Sequence, residues 1–172
     1  MRIIAGKWRG RRIDAPADER VRPTGDRVRE AWMSIVNSWL PGARVLDLFS
    51  GSGALGLEAL SRGADSIDFV ELAPKSLSAI TMNAERLGAG SNISLHRGDA
   101  IRFMERLEPH AYDVAFADPP YGMGLAQRIA EHWLNTPFAD ILGIEHAARE
   151  QLAGGDTRAY GTAAVTFFGL DA

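Results

Sequence analysis

Short apolar runs alternate with amphipathic stretches along the chain from residue 43 onwards. Apolar runs that are bounded by glycine or polar residues predict strands buried on both faces of a parallel sheet. The ends of the segment 158–168 are rich in β-forming residues around Gly161 and Thr162, which predicts a terminal hairpin. The other predicted strands are 45–49, 66–71, 92–96, 112–117 and 141–146.

Helices are predicted between these strands, because apolar residues recur there every three or four positions. Thr24 is predicted as the N-cap of the first helix, and residues 147–155 as a loop or a short helix. Strands separated by helices predict an α/β fold with a mostly parallel sheet and an antiparallel C-terminal edge strand. The predicted helices are 26–40, 54–60, 74–87, 99–107 and 124–133.

A glycine turn, Ser50-Gly51-Ser52-Gly53, follows the first predicted strand. Glycine allows a tight turn and lets the backbone approach a ligand closely. Ligands of open parallel sheets bind beyond the carboxyl ends of the strands. This turn is therefore the first candidate for a binding site.

Two classes of ligand fit the glycine turn. Gly51, Gly53 and Gly56 match the spacing of the dinucleotide fingerprint, and Glu71 follows near the position of its ribose-binding acid. Asp47 argues against a dinucleotide, because a carboxylate inside a buried strand needs a partner and would repel a pyrophosphate. A ligand that carries an amino group is favoured, and a nicotinamide oxidoreductase is kept as an alternative.

Charge is distributed unevenly along the chain. Residues 1–30 hold nine Lys or Arg and five acids, a net charge of +4, so the other residues, with 10 basic and 17 acidic side chains, carry −7. A basic segment on an acidic body suggests a nucleic-acid partner. The same composition also fits a solvated tail.

Length and composition limit the remaining possibilities. A chain of 172 residues predicts one domain with a substantial core. The lack of cysteine and of any apolar run long enough for a membrane helix fits a soluble cytoplasmic protein. The four histidines have no metal-ligand spacing, so no metal is expected. Trp32, Trp39 and Trp133 are expected in the core.

Several motifs resemble those of known enzymes. The segment 47–53, Glu71 and Asp118-Pro119-Pro120-Tyr121 are similar to S-adenosylmethionine-dependent methyltransferases that act on exocyclic amino groups. Nearly the whole chain resembles the bacterial 16S ribosomal RNA guanine-N2 methyltransferase family. The resemblance implies a Rossmann-like, seven-stranded methyltransferase domain over residues 25–172, preceded by a basic RNA-binding hairpin at residues 1–24. The matching segments are 2–11, 22–24, 27–30, 53–63, 160–162 and 165–168.

The resemblance implies S-adenosylmethionine as the cofactor, bound across the ends of the first three strands. Asp47 would balance its amino group, Glu71 would accept hydrogen bonds from its ribose, and Asp99 would meet its adenine. Asp99 is equally expected as the N-cap of a helix. The residues implied as cofactor-binding are Asp47, Phe49, Gly51, Gly53, Glu71, Asp99 and Ala100.

The resemblance also implies direct transfer of a methyl group to nitrogen at the Asp-Pro-Pro-Tyr motif. Asp118 and the carbonyl of Pro119 would accept hydrogen bonds from the guanine NH2 group and orient its lone pair. Pro120 would help to fix the loop, and Tyr121 would stack on a base turned out of its helix.

The implied partner is 16S ribosomal RNA, in the small subunit or in an assembly intermediate. We expect a monomer that contacts no membrane. Two alternatives stay open: a DNA adenine-N6 methyltransferase, which shares the catalytic motifs, and an RNA-binding assembly factor without catalysis. The residues expected to bind RNA are Arg2, Lys7, Trp8, Arg9, Arg11, Arg12 and Arg22.

Overall fold

A computed structural model describes residues 1–16 and 25–171, and one seven-stranded sheet forms its centre. The strands are β1 (Arg44–Leu48), β2 (Ser66–Glu71), β3 (Ile93–Arg97), β4 (Tyr112–Ala117), β5 (Ala139–Ala147), β6 (Asp156–Tyr160) and β7 (Ala163–Phe168). Their order in the sheet is β3-β2-β1-β4-β5-β7-β6. The first five pair in parallel, and β7 is antiparallel to both β5 and β6. The predicted fold class and antiparallel edge are confirmed.

Helices cover the sheet, and their positions agree with the apolar spacing. The first helix has Gly25 at its N-cap and continues as a 3-10 turn over Asn37–Trp39. Thr24, the predicted cap, lies outside the described residues. Of residues 147–155, Ala147 ends β5 and residues 148–155 form turns, bends and irregular backbone, with no helix. The helices of the described residues are α1 (Asp26–Val36), α2 (Ala54–Ser61), α3 (Pro74–Leu87), α4 (Ala100–Glu105) and α5 (Leu125–Asn135).

The core has one apolar layer on each face of the sheet, because successive strand residues point to opposite faces. Val45 and Phe116 belong to the layer that also contains α1 residues, whereas Leu46 and Ala115 belong to the other layer. Trp32 of α1 lies edge-on to Phe116, with ring centroids 5.7 Å apart. None of the helices in the described part of the chain has the length and apolar character that crossing a membrane requires.

The basic N-terminal segment is part of this core. Arg2 pairs with Arg12 in a short antiparallel bridge, so residues 2–12 form a small hairpin. Ile3 and Ile13 of this hairpin are 2% and 0% exposed and pack in the same apolar layer as α1. The division of the chain at residue 24 stays a prediction, since residues 17–24 lie outside the described ranges.

Side chains of helix α2 bind the backbone of the hairpin. The Glu58 side chain is fully buried, and its two oxygens accept hydrogen bonds from the N–H groups of Ile4 (2.8 Å) and Ala5 (3.0 Å). The hydroxyl of Ser61 accepts from the N–H of Trp8 at 3.0 Å. Backbone groups that would otherwise be buried without a partner are satisfied by side chains of α2.

Candidate active site

The order of the strands places a crevice at the carboxyl ends of β1 and β4. The chain runs from β1 outwards to β3 on one side and from β4 outwards on the other, so the direction of strand order reverses between β1 and β4. Such a reversal is where open α/β sheets bind ligands. Leu48 pairs with Val70 on one side and with Ala117 on the other, so Glu71 and Asp118 both follow at this edge.

The glycine turn lies directly over this edge. Phe49 has a positive φ of 60°, which is uncommon for a residue other than glycine and marks local backbone strain. Gly53 has a φ of 81° and forms the N-cap of α2, and its N–H bonds to the carbonyl of Ser50 at 2.8 Å. The Ser50 hydroxyl accepts from the N–H of Val70 at 3.1 Å, which fixes the turn against β2.

Glu71 is held by three backbone N–H groups. One oxygen accepts from Gly51 at 2.9 Å, and the other accepts from Leu72 and Ala73, each at 2.8 Å. The half-buried carboxylate therefore connects the end of β2 to the glycine turn. An ionised carboxylate has about four acceptor positions, so one remains for a ligand, and the role of Glu71 towards a ribose stays a prediction.

Asp47 is a carboxylate inside the core, 1% exposed. Its Oδ2 accepts a hydrogen bond of 3.1 Å from the N–H of Gly56. Burial raises the pKa of Asp47 well above its ordinary value of 3.8, and the negative charges of Asp118 and Glu71 raise it further, against the effect of the Gly56 bond. Three carboxylates thus share one crevice, and a ligand that carries positive charge would reduce their mutual repulsion.

Asp99 is the N-cap of α4, as one of its two predicted roles required. Its Oδ1 accepts from the N–H of Arg102 at 3.0 Å, and the side chain is exposed. Ala100, the first residue of α4, is buried. The contact of Asp99 and Ala100 with an adenine stays a prediction.

The Asp-Pro-Pro-Tyr motif begins where β4 ends. The N–H of Asp118 donates to the carbonyl of Leu48 at 3.4 Å, which continues the β1–β4 pairing by one residue. Asp118 and Tyr121 are half-buried, Pro119 is buried and Pro120 is exposed. The motif is therefore brought next to Asp47 and Glu71, as the sequence predicts.

Sequence reasoning missed Glu145 near the end of β5. Its side chain is 1% exposed, and its Oε2 lies 3.5 Å from the hydroxyl of Tyr121. The signal was the same as for Asp47: an acid within an apolar strand, at the carboxyl end of the sheet. Such a buried acid beside a candidate site is itself a candidate functional group.

Six of the seven residues predicted to bind RNA lie on the hairpin, between Arg2 and Arg12. Their cationic side chains are exposed at Arg2, Lys7, Arg9, Arg11 and Arg12. The Lys7 ammonium lies 4.5 Å from the centre of the half-buried Trp8 ring.

Parts of this surface are fixed by contacts within the protein. Arg11 donates to the carbonyl of Arg86 at 2.7 Å, and Arg12 lies 3.4 Å from Asp14. Arg22 lies outside the described residues. Binding of RNA by these side chains stays a prediction.

Comparisons with known proteins agree on one family. Residues 1–155 match the model of a family described as conserved hypothetical protein 95. A Haemophilus influenzae protein, named ribosomal RNA small subunit methyltransferase D, is 37% identical over 131 residues, which cover 74% of this chain and 67% of the relative. The protein of that name in Escherichia coli K12 is 39% identical over 128 residues, covering 74% of this chain and 63% of the relative.

The match spans about two thirds of the length of these relatives, 67% and 63%. A solved structure of a hypothetical protein from Thermus thermophilus superposes with a TM-score of 0.83 at 31% identity. That superposition covers 97% of this chain and 98% of the other. The overall fold thus recurs in one related chain of similar length.

Proposed function

The chain belongs to the family described as conserved hypothetical protein 95, and we propose that it is an S-adenosylmethionine-dependent methyltransferase acting on RNA of the small ribosomal subunit. The names of the Haemophilus and Escherichia relatives support the reaction and the substrate class. One observation of this molecule carries the proposal: Asp47, Glu71 and Asp118 share a crevice with a glycine turn at the reversal point of the sheet.

The residues of the crevice fit this cofactor. S-adenosylmethionine carries positive charge on its sulfonium and amino groups and supplies a methyl group to a nucleophile. Asp47, buried and surrounded by two other acids, would hold the amino group. Gly51 and Gly53 would line the methionine part, and Glu71 would accept from the ribose hydroxyls with its remaining acceptor position.

We further propose the exocyclic N2 of a guanine in 16S ribosomal RNA as the methyl acceptor. Its lone pair is delocalised into the ring, so the amino group needs orientation. Asp118 and the Pro119 carbonyl would each accept a hydrogen bond from one N–H of this amino group, which directs the nitrogen lone pair at the methyl carbon. The nitrogen forms the new bond while the carbon–sulfur bond breaks with its electron pair on sulfur, and one N–H proton leaves to Asp118 or to solvent.

The exposed cations of the hairpin would contact the RNA backbone. Helix α2 begins at the glycine turn and bonds to the hairpin through Glu58 and Ser61. This one helix would therefore fix the position of the RNA surface relative to the cofactor site. We propose that the protein acts as a cytoplasmic monomer on the small subunit or an assembly intermediate of it.

The test is transfer of labelled methyl groups from S-adenosylmethionine to small subunits that lack the modification, followed by nucleoside mapping. We expect label in N2-methylguanine of 16S RNA, and a fall of about 100-fold or more in kcat for Asp118→Ala, comparable to the loss of one transition-state hydrogen bond. Asp156→Asn, on the outer strand β6, is the control and should leave kcat unchanged.

Other outcomes point to the alternatives. Transfer of label to N6-methyladenine when DNA replaces the subunits as the substrate would favour the DNA methyltransferase. RNA binding without any affinity for S-adenosylhomocysteine would favour an assembly factor without catalysis. Full activity of Asp118→Ala would overturn the role given to the Asp-Pro-Pro-Tyr motif.

A further inference from the structure

We propose that Met123 packs on the RNA base that neighbours the target nucleotide and thereby helps to hold the target base out of its stack. The inference rests on the proposed function, because it assigns an RNA contact to the mouth of the same site. Met123 lies outside the segments that carry the family resemblance, and only its position in the fold brings it here.

Met123 is an apolar side chain that the fold leaves in solvent. Its exposed fraction, 68%, is the largest among the exposed large apolar side chains of the described residues. Burial of such a side chain by a partner is favourable. Because single apolar residues are common on protein surfaces, exposure alone does not give Met123 a function, and its position has to be considered.

The position of Met123 is the short connection between the Asp-Pro-Pro-Tyr motif and helix α5. β4 ends at Ala117, and Gly124 is the N-cap of α5. Two residues of chain span at most about 7 Å, so the Cα atom of Met123 lies within that distance of the Cα atom of Tyr121. Since Tyr121 is expected to stack on the target base, the next nucleotide of the strand would lie beside Met123.

Two glycines flank Met123 and leave the loop open. Gly122 and Gly124 have positive φ values of 78° and 71°, which glycine adopts without steric cost. A Cβ atom added at either position would meet no atom within 4 Å. The backbone conformation, and not close packing, therefore calls for glycine at both positions. An RNA base has room to approach the thioether between them.

Reaction at a base gives such a contact a use. Enzymes that act on a base within a helix turn it out of the stack and bear the cost of unstacking. Apolar side chains, methionine among them, are inserted between base steps by proteins that unstack nucleic acids. The flexible thioether of methionine also makes favourable contacts with aromatic rings. Met123 would replace part of the stacking that the neighbouring base loses when the target base moves to Asp118.

The first experiment tests the contact itself. Met123→p-benzoylphenylalanine introduces a photo-crosslinking side chain into the full chain, which is bound to unmodified small subunits with S-adenosylhomocysteine and irradiated. Primer extension on the 16S RNA should place the crosslink within one nucleotide of the mapped target guanosine. Leu134→p-benzoylphenylalanine is the matched control, because Leu134 is 50% exposed but lies at the other end of α5, and it should give no crosslink there. A crosslink from position 123 only to distant nucleotides, or none at all, would overturn the proposal.

The second experiment measures what the contact contributes. Met123→Ala should lower kcat/KM for small subunits about 10-fold, as expected when a partner buries part of an apolar side chain. Met123→Leu keeps a similar apolar volume and should retain most of the activity. Leu134→Ala, the matched control, should leave kcat/KM unchanged.

Two further measurements separate the possible causes of a loss. Affinity for S-adenosylhomocysteine, measured by calorimetry, should be the same in Met123→Ala as in the wild type, because the cofactor site is intact. Wild-type kcat/KM in Met123→Ala would contradict the proposed contact. Failure of the wild type to methylate the subunits would instead reject the proposed function.

Discussion

Asn83 donates a hydrogen bond of 3.0 Å from its side-chain amide to the carbonyl oxygen of Ser52, which fixes the glycine turn to helix α3. The same side chain donates to the carbonyl of Asp14 and accepts from its N–H, each at 2.9 Å. Asn83 is 1% exposed. One buried amide therefore joins the glycine turn to the end of the basic hairpin.

Asn83→Ala should lower both the stability and the affinity for S-adenosylhomocysteine. The substitution leaves the carbonyls of Ser52 and Asp14 and one N–H without this partner, and each unsatisfied buried group costs about 1–3 kcal/mol. Urea unfolding would measure the loss of stability, and calorimetry the affinity. Asn92→Ala is the control, because Asn92 also donates to a carbonyl, that of Asp65 at 2.9 Å, but is exposed. Equal effects of the two variants would contradict the role of Asn83.

Asp47→Asn should stabilise the protein without ligand and weaken its binding of S-adenosylhomocysteine. The asparagine oxygen can still accept from Gly56, but the buried negative charge is gone. Loss of a hydrogen bond between charged groups costs about 1.5–3 kcal/mol, so affinity should fall roughly 10- to 100-fold. Calorimetry at pH 7 measures this change.

The gain in stability of Asp47→Asn should depend on pH. The pKa of Asp47 is raised in the folded protein, so the folded state holds this proton more strongly than the unfolded state. The stability of the wild type should therefore fall as the pH rises from 3.8, the ordinary pKa of an aspartate, towards the raised pKa of Asp47. Above that pKa the stability should level off. Urea unfolding of both proteins across this window should show a growing difference, and a difference independent of pH would refute this explanation.

Glu58→Ala should release the basic hairpin from the body. Glu58 is fully buried, bonds to the N–H groups of Ile4 and Ala5, and pairs with Arg62 at 2.9 Å. Breaking a buried ion pair by removing one partner costs about 3–5 kcal/mol. Trypsin should then cleave after the cations of the hairpin much faster than in the wild type. Glu85→Ala, an exposed glutamate of α3, should leave the cleavage rate unchanged.

Lys7→Ala combined with Arg9→Ala should weaken binding of 16S RNA fragments and reduce its dependence on salt. Each lost phosphate contact lowers the slope of log affinity against log salt by about 0.7–0.9. Binding measured over a series of salt concentrations should therefore show a slope smaller by roughly 1.4–1.8. Arg158→Ala, on β6, is the control. An unchanged slope in the double variant would show that these cations do not contact RNA.

Local patterns were enough to predict the strands and the crevice. Asp47, Glu71 and Asp118 each end or interrupt an apolar run, and parallel strands bring such positions to one edge. The carboxyl edge of the sheet could therefore be assembled from the order of motifs alone.

The first helix shows where local patterns fail. Its buried residues are Arg29, Trp32, Met33 and Val36, and the helix turns into a 3-10 segment after Val36. Trp39, predicted in the core by helical spacing, is 39% exposed, because that change of helix type rotates it off the buried face. The prediction for Trp39 was wrong, whereas Trp32 is fully buried as expected.

Long-range contacts were also beyond local reasoning. Asn83 finds its partners at residues 14 and 52, and Glu58 finds its partners in the first residues of the chain. Neither residue has a neighbour in sequence that signals its role. Each side chain meets its hydrogen-bond partners in the hairpin only when the hairpin packs on α2 and α3.

The order of the last strands makes the edge of the sheet depend on β7. β6 precedes β7 in the sequence, but among the described strands it pairs with β7 alone, and β7 lies between β6 and β5. A chain truncated after Tyr160 would therefore carry a β6 without its partner and a β5 with one bare edge. Unpaired apolar edges are templates for aggregation. The six residues of β7, Ala163–Phe168, close this edge.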